Sequence, residues 1–78
     1  MALNDVDRAI VLKALDEAKP YIGELGEVEQ LIEEQCKSAH SVSDFIERIQ
    51  HEHDRVTDPI LRTDLRIYLG RLRSRRGN

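Results

Sequence analysis

The stretch Thr57-Asp58-Pro59-Ile60-Leu61-Arg62-Thr63-Asp64-Leu65-Arg66-Ile67-Tyr68-Leu69-Gly70-Arg71-Leu72 (TDPILRTDLRIYLGRL, residues 57–72) decides the fold. Thr57 or Asp58 caps a helix here, since a short oxygen-bearing side chain can accept from an orphan backbone N–H. Pro59 follows at the first helical position, where its missing N–H costs nothing. At about 100° per residue, Leu61, Leu65, Tyr68, Leu69 and Leu72 fall on one apolar stripe. Ile60 and Ile67 make a second, smaller stripe on another side. Gly70 weakens the helix interior by about 1 kcal/mol relative to Ala. The end, RSRRGN at 73–78, is expected to fray.

A helix with one apolar stripe needs partners of the same kind, and the upstream sequence supplies them. Ser41 or Ser43 opens a third helix, with Ser41 and Asp44 spaced as a capping box, although Asp is shorter than the usual Glu or Gln. Val42, Phe45, Ile46, Ile49 and Val56 share its face, together with His53, while His51 points away. A second helix over about 27–39 carries Val28, Leu31, Ile32 and Ala39, with Gln35 inside the stripe and Cys36 and His40 at one rim. The first helix is capped by Asn4 or Asp5 and carries Ile10, Val11, Ala14, Leu15 and Ala18. Leu12 lies on its far side. Pro20 disfavours helix at Lys19 and ends or kinks this segment. Residues 20–26 (PYIGELG) read as a turn or a short fifth helical hook, with Gly23 and Gly26 lending backbone freedom. The expectation is one small all-α domain over residues 1–78, a bundle of about four helices.

Seventy-eight residues bury only about 60% of the unfolded surface, so the stability margin is thin. Cys36 is the only cysteine, so no intramolecular disulfide forms. A lone thiol suits a reducing compartment, and a cytoplasmic location is expected. No apolar run is long enough to span a membrane. The opening MALNDVDRA places acids before the apolar stretch and does not read as a signal peptide.

The charges are sorted by position. Residues 1–53 hold twelve acids and five bases, a net of −7, whereas residues 54–78 hold three acids and seven arginines, a net of +4. Such asymmetry concerns what a protein touches. The bland reading is that cations near a helix C-terminus complement its dipole and solubilise it. A second reading docks the arginines on an acidic protein surface or on the acidic body of another copy, since the planar guanidinium fork suits carboxylates. The third is phosphate contact with nucleic acid. The sequence pI of about 5.5 and the lack of aromatics among the basic residues stand against it.

Leu12, Ile60 and Ile67 exceed what one buried face per helix needs. Either the helices wrap one another more fully or a partner covers a second face. The histidines carry little. Cys36/His40 and Glu47/His51 are each four apart, but zinc needs three or four converging ligands. His51 and His53 are two apart and point about 200° apart on a helix. Cys36 with His40 lacks an orienting group and an oxyanion site for nucleophilic work. Gly23 and Gly26 do not form a phosphate loop, since no GxxxxGK[ST] is present. Gln35 needs a hydrogen-bond partner, at a helix end, at His53 or in an interface.

The sequence therefore supports a non-enzymatic protein-interaction module, an adaptor, chaperone or inhibitor, with no cofactor or metal. Its candidate contact residues are Leu12, Ile60, Arg62, Arg66, Ile67, Arg71 and Arg73. The expected partner is a protein with an acidic surface, a second copy, or both. The alternative is a nucleic-acid-associated regulator using Arg62, Arg66, Arg71, Arg73, Arg75 and Arg76. No residue pattern selects a family.

Overall fold

Each capping signal in the sequence starts a helix close to where it stands. The computed structural model describes residues 3–75 and holds α1 (Asp5–Ala18), a 3₁₀ turn (Lys19–Tyr21), α2 (Leu25–Ser38), α3 (Val42–Arg55) and α4 (Pro59–Arg75). No strand occurs among the described residues. The protein is an all-α bundle of four helices. Asn4 Oδ1 accepts from Asp7 N at 2.8 Å to cap α1. Ser41 Oγ accepts from Asp44 N at 3.1 Å to cap α3. The return half of that motif differs from a capping box. The Asp44 carboxylate accepts from His40 N at 3.0 Å rather than from Ser41 N. Asp58 Oδ1 accepts from Ile60 N at 3.0 Å at the start of α4.

Two boundaries differ from the sequence reading. The hook expected over 20–26 is only the Lys19–Tyr21 turn, and α2 starts at Leu25 rather than Glu27. The cause is a tertiary contact. Asp64 of α4 accepts from Gly23 N at 3.0 Å and from Glu24 N at 2.8 Å. Those bonds fix the chain just before α2 and satisfy two donors at its entry. Residues 76–78, the tail of the segment expected to fray, lie outside the described residues, and α4 continues through Arg75.

α4 is the central element: it packs against α1 and α3, and more lightly against α2, which itself packs on α3. α1 meets α2 and α3 only lightly. The core joins Val11, Ala14, Leu15 and Ala18 of α1 to Val28, Ile32 and Cys36 of α2. It continues through Phe45, Ile46 and Ile49 of α3 into Leu65, Tyr68, Leu69 and Leu72 of α4. Cys36 belongs to this core, 1% exposed, rather than to a rim. Burial pushes its thiol above the usual range, which suits a small packed residue and not a nucleophile. Leu3 belongs to the same core, and its N–H donates to the Cys36 carbonyl at 3.2 Å.

Tyr68 is the largest fully buried side chain. Its ring meets Phe45 edge-on, centroids 6.4 Å apart and planes at 84°. Its hydroxyl donates to the Val11 carbonyl at 3.0 Å, tying α4 to α1. Removing that hydroxyl while keeping the ring isolates the bond. Tyr68→Phe is expected to cost about 1 kcal/mol, measured by urea denaturation with an unchanged slope.

Candidate functional site

The positive end of the chain resolves into two edges of one helix. On α4 the buried stripe runs between them. Arg62, Arg66 and Arg73 flank it on the α3 side, and Ile60, Ile67, Arg71 and Arg75 flank it on the α1 side. The spacing alone sets this division, since residues four or seven apart lie on nearly the same helical azimuth.

On the α1 side the charges are spent inside the molecule. Arg75 pairs with Glu17 of α1, its Nε donating to the carboxylate at 2.9 Å. That hydrogen bond holds the Glu17 carboxyl below its usual range. Arg71 stacks over the Tyr21 ring, its guanidinium carbon 5.3 Å from the centroid, a cation–π contact. Ile67 is half-buried and packs against the core. Ile60 remains 56% exposed, with its γ2 methyl beside Gly23. A Cβ built at Gly23 would come within 3.2 Å of that methyl, so the close approach of the loop to α4 favours glycine there. Part of the second apolar stripe thus packs against the chain itself.

On the α3 side the division is sharper. Arg73 Nη2 donates to Gln50 Oε1 at 2.9 Å. Gln50 in turn donates from Nε2 to Asp54 at 3.1 Å, and His53 Nδ1 lies 3.0 Å from the same carboxylate oxygen. The His53 and Gln50 contacts hold Asp54 below its usual carboxylate range, with a smaller contribution from the nearby Arg62 charge. Arg62 and Arg66 differ. Both are exposed and line a shallow cleft with His53, Pro59 and Thr63. Neither guanidinium makes a hydrogen bond or ion pair with any described residue. The remaining arginines of α3 are held too, Arg48 by Asp44 and Arg55 by Glu52.

Leu12 does not join this surface. It is 41% exposed and lines a cleft of about 320 Å³ between α1 and α2, with Arg8, Leu15, Glu29, Ile32, Glu33 and Cys36. The seven candidate contact residues therefore fall in three places: Leu12 in the α1–α2 cleft, Arg62, Arg66 and Arg73 beside α3, and Ile60, Ile67 and Arg71 beside α1 and the 3₁₀ turn. Gln35 and His51 line another shallow cleft with Asp44, Glu47, Arg48 and Glu52. No group of His, Cys, Asp and Glu among the described residues is placed to hold a metal ion.

Two acidic residues hold places in the fold that helical patterning does not assign them. Asp64 is buried, 3% exposed, and its four neighbours at i±3 and i±4 (Ile60, Leu61, Ile67 and Tyr68) are all apolar, which is the signal that reveals it. Glu24 has no such signal, because its partner is distant in sequence. Its carboxyl shares a hydrogen bond with Asp58, and with burial and the nearby acids this raises it from 4.5 to about 6. Asp58 is correspondingly lowered. The folded state holds the Glu24 proton more tightly than the unfolded chain. This contribution is complete below about pH 4.5 and is lost as pH rises to about 6. Glu24→Gln should therefore raise the melting temperature at pH 7 and leave it unchanged near pH 4, followed by circular dichroism.

No helix among the described residues is long and apolar enough to cross a membrane. Comparisons with curated proteins and with solved structures return no match. A family model, described only as that of the MJ1579 family, matches residues 8–77. The match takes in α2, α3 and α4 whole and α1 from Arg8 onward, including every candidate contact residue. The chain belongs to the MJ1579 family.

Proposed function

We propose that the chain is a small, non-enzymatic protein-interaction module that recognises an acidic partner protein through the outer face of α4. One observation carries this reading: Arg62 and Arg66 stand exposed without a partner among the described residues, while Arg71, Arg73 and Arg75 are engaged within the fold. An arginine held by the molecule's own groups serves stability. A pair left open one helical turn apart presents two planar forks, spaced to meet carboxylates. Pro59 and Thr63 beside them keep the surface low, and Ile60 adds apolar area at the far edge. Contacts of this kind steer association and set specificity more than they supply raw affinity. The reading includes the roles of adaptor, chaperone or inhibitor in the cytoplasm.

The second reading, nucleic-acid binding, draws on the same two arginines. It is weakened by the engagement of the others, because phosphate affinity grows with the number of cations offered. The two readings separate in a titration at low salt against a fluorescent polyglutamate peptide and a fluorescent DNA duplex. The protein-interaction reading predicts anisotropy changes with the peptide and none with the duplex in the same concentration range. Tighter binding to the duplex than to the peptide would replace it with the nucleic-acid reading.

A further inference from the structure

The α4 face and the α1–α2 cleft fit each other. We infer that the acidic partner is a second copy of this chain, whose α1–α2 cleft receives α4. This inference rests on the reading of Arg62 and Arg66 as a docking pair.

The cleft has two unlike walls. The α1 wall offers Leu12, with Leu15 beneath it, and the α2 wall offers Glu29 and Glu33 over Ile32 and Cys36. Glu29 and Glu33 are exposed and stand four residues apart, so their side chains rise one above the other, about 6 Å apart. α4 has matching edges. Arg62 and Arg66 are also four apart and exposed, and Ile60 lies on the opposite edge, 56% exposed. Between the edges run Pro59, Thr63 and Gly70. The Thr63 hydroxyl is already committed to the Pro59 carbonyl at 2.9 Å, and a Cβ at Gly70 would meet nothing within 4 Å. A helix with a low ridge can therefore settle into the cleft. Its arginine pair then faces Glu29 and Glu33, and its isoleucine faces Leu12. Arg8 is the one cation of the cleft.

Two copies joined through α4 faces alone would set arginine against arginine, which disfavours that arrangement. The sorted charge of the chain, acidic body and basic end, favours head-to-tail contact instead. The cleft lies between α1 and α2, and the docking face lies on α4 where it borders α3, so one copy offers both halves on different seams. Such a contact either closes reciprocally, each α4 in the other copy's cleft, or propagates head to tail into rings or chains.

The test uses two full-length variants, Arg62→Gln/Arg66→Gln and Glu29→Gln/Glu33→Gln, with light scattering at low salt and circular dichroism to confirm helicity. The wild type should exceed monomer mass as concentration rises and revert to monomer in 1 M salt, where the Debye length is about 3 Å. Each variant alone should be a monomer. An equal mixture of the two variants should form a 1:1 complex and stop there, because it retains one intact interface. A wild type that stays monomeric, or variants that fail to combine, would each overturn the inference. A monomeric wild type that still binds polyglutamate through Arg62 and Arg66 would overturn only the identity of the partner and leave the docking reading intact.

Discussion

Asp64→Ala is expected to destabilise the fold by about 3 kcal/mol, from the loss of two hydrogen bonds to a charged group at about 1.5–3 kcal/mol each, reduced where water replaces them. The carboxylate is 3% exposed and accepts from the backbone at Gly23 and Glu24, 2.8 to 3.0 Å away. It also stands at the start of α2, where the exposed backbone N–H groups favour a negative charge. Alanine leaves those donors without an acceptor from the protein. The effect has a local signature. Amide exchange at Gly23 and Glu24 should accelerate before the rest of the molecule responds, since the link from the 19–24 loop to α4 opens first. Asp64→Asn is expected to lose about half as much, because its amide oxygen can serve one donor while its NH₂ group faces the other. Urea denaturation gives the totals and hydrogen exchange gives the location. Equal protection at Gly23 and Glu24 in wild type and Asp64→Ala would contradict the assignment.

Phe45→Ala is expected to cost about 4 kcal/mol, within the range for deleting a buried aromatic ring. Phe45 is fully buried and supplies the edge-on contact with Tyr68 that joins α3 to α4. A 78-residue domain has a total stability of about 4–12 kcal/mol, so this one cavity removes a third or more of it. The variant should show a lower denaturation midpoint and weakened near-ultraviolet dichroism from Tyr68. Phe45→Leu should lose about 1–2 kcal/mol, because most of the volume remains. A loss below 1 kcal/mol for Phe45→Ala would mean that α3 and α4 close over the gap and that the aromatic contact does not organise the core.

The helices were legible because their ends are written locally. Asn4, Ser41 and Asp58 stand where the caps form, and Pro59 marks the first turn of α4. The apolar stripe of α4 matches its buried residues at Leu65, Tyr68, Leu69 and Leu72. What was not legible depends on contacts distant in sequence. The early start of α2 follows from Asp64, some forty residues away. Cys36 is buried in a core that also takes in Leu3, Val11 and Leu15 from outside α2. The division of the arginines into two edges was readable from helical spacing. Their employment was not, because Glu17, Tyr21 and Gln50 come from α1, the 3₁₀ turn and α3. Spacing also gives no sense of which helices are neighbours, so Leu12 was grouped with Ile60 and Ile67 although it opens onto the α1–α2 cleft. The short reach of Asp44 was visible in the sequence, but its capture of the His40 N–H was not.

The central claim is that two arginines of α4 are reserved for a partner while the others serve the fold. The most direct measurement compares Arg62→Gln/Arg66→Gln with Arg71→Gln/Arg75→Gln by fluorescence anisotropy with a labelled polyglutamate peptide at low salt, alongside thermal melts. Loss of two exposed ion pairs at up to about 1 kcal/mol each predicts roughly tenfold weaker binding for the first variant, with an unchanged melting temperature. The second variant should keep its affinity within about twofold and melt lower, since it gives up the contacts to Glu17 and Tyr21. The opposite pattern, binding lost with Arg71 and Arg75 and retained without Arg62 and Arg66, would contradict the account.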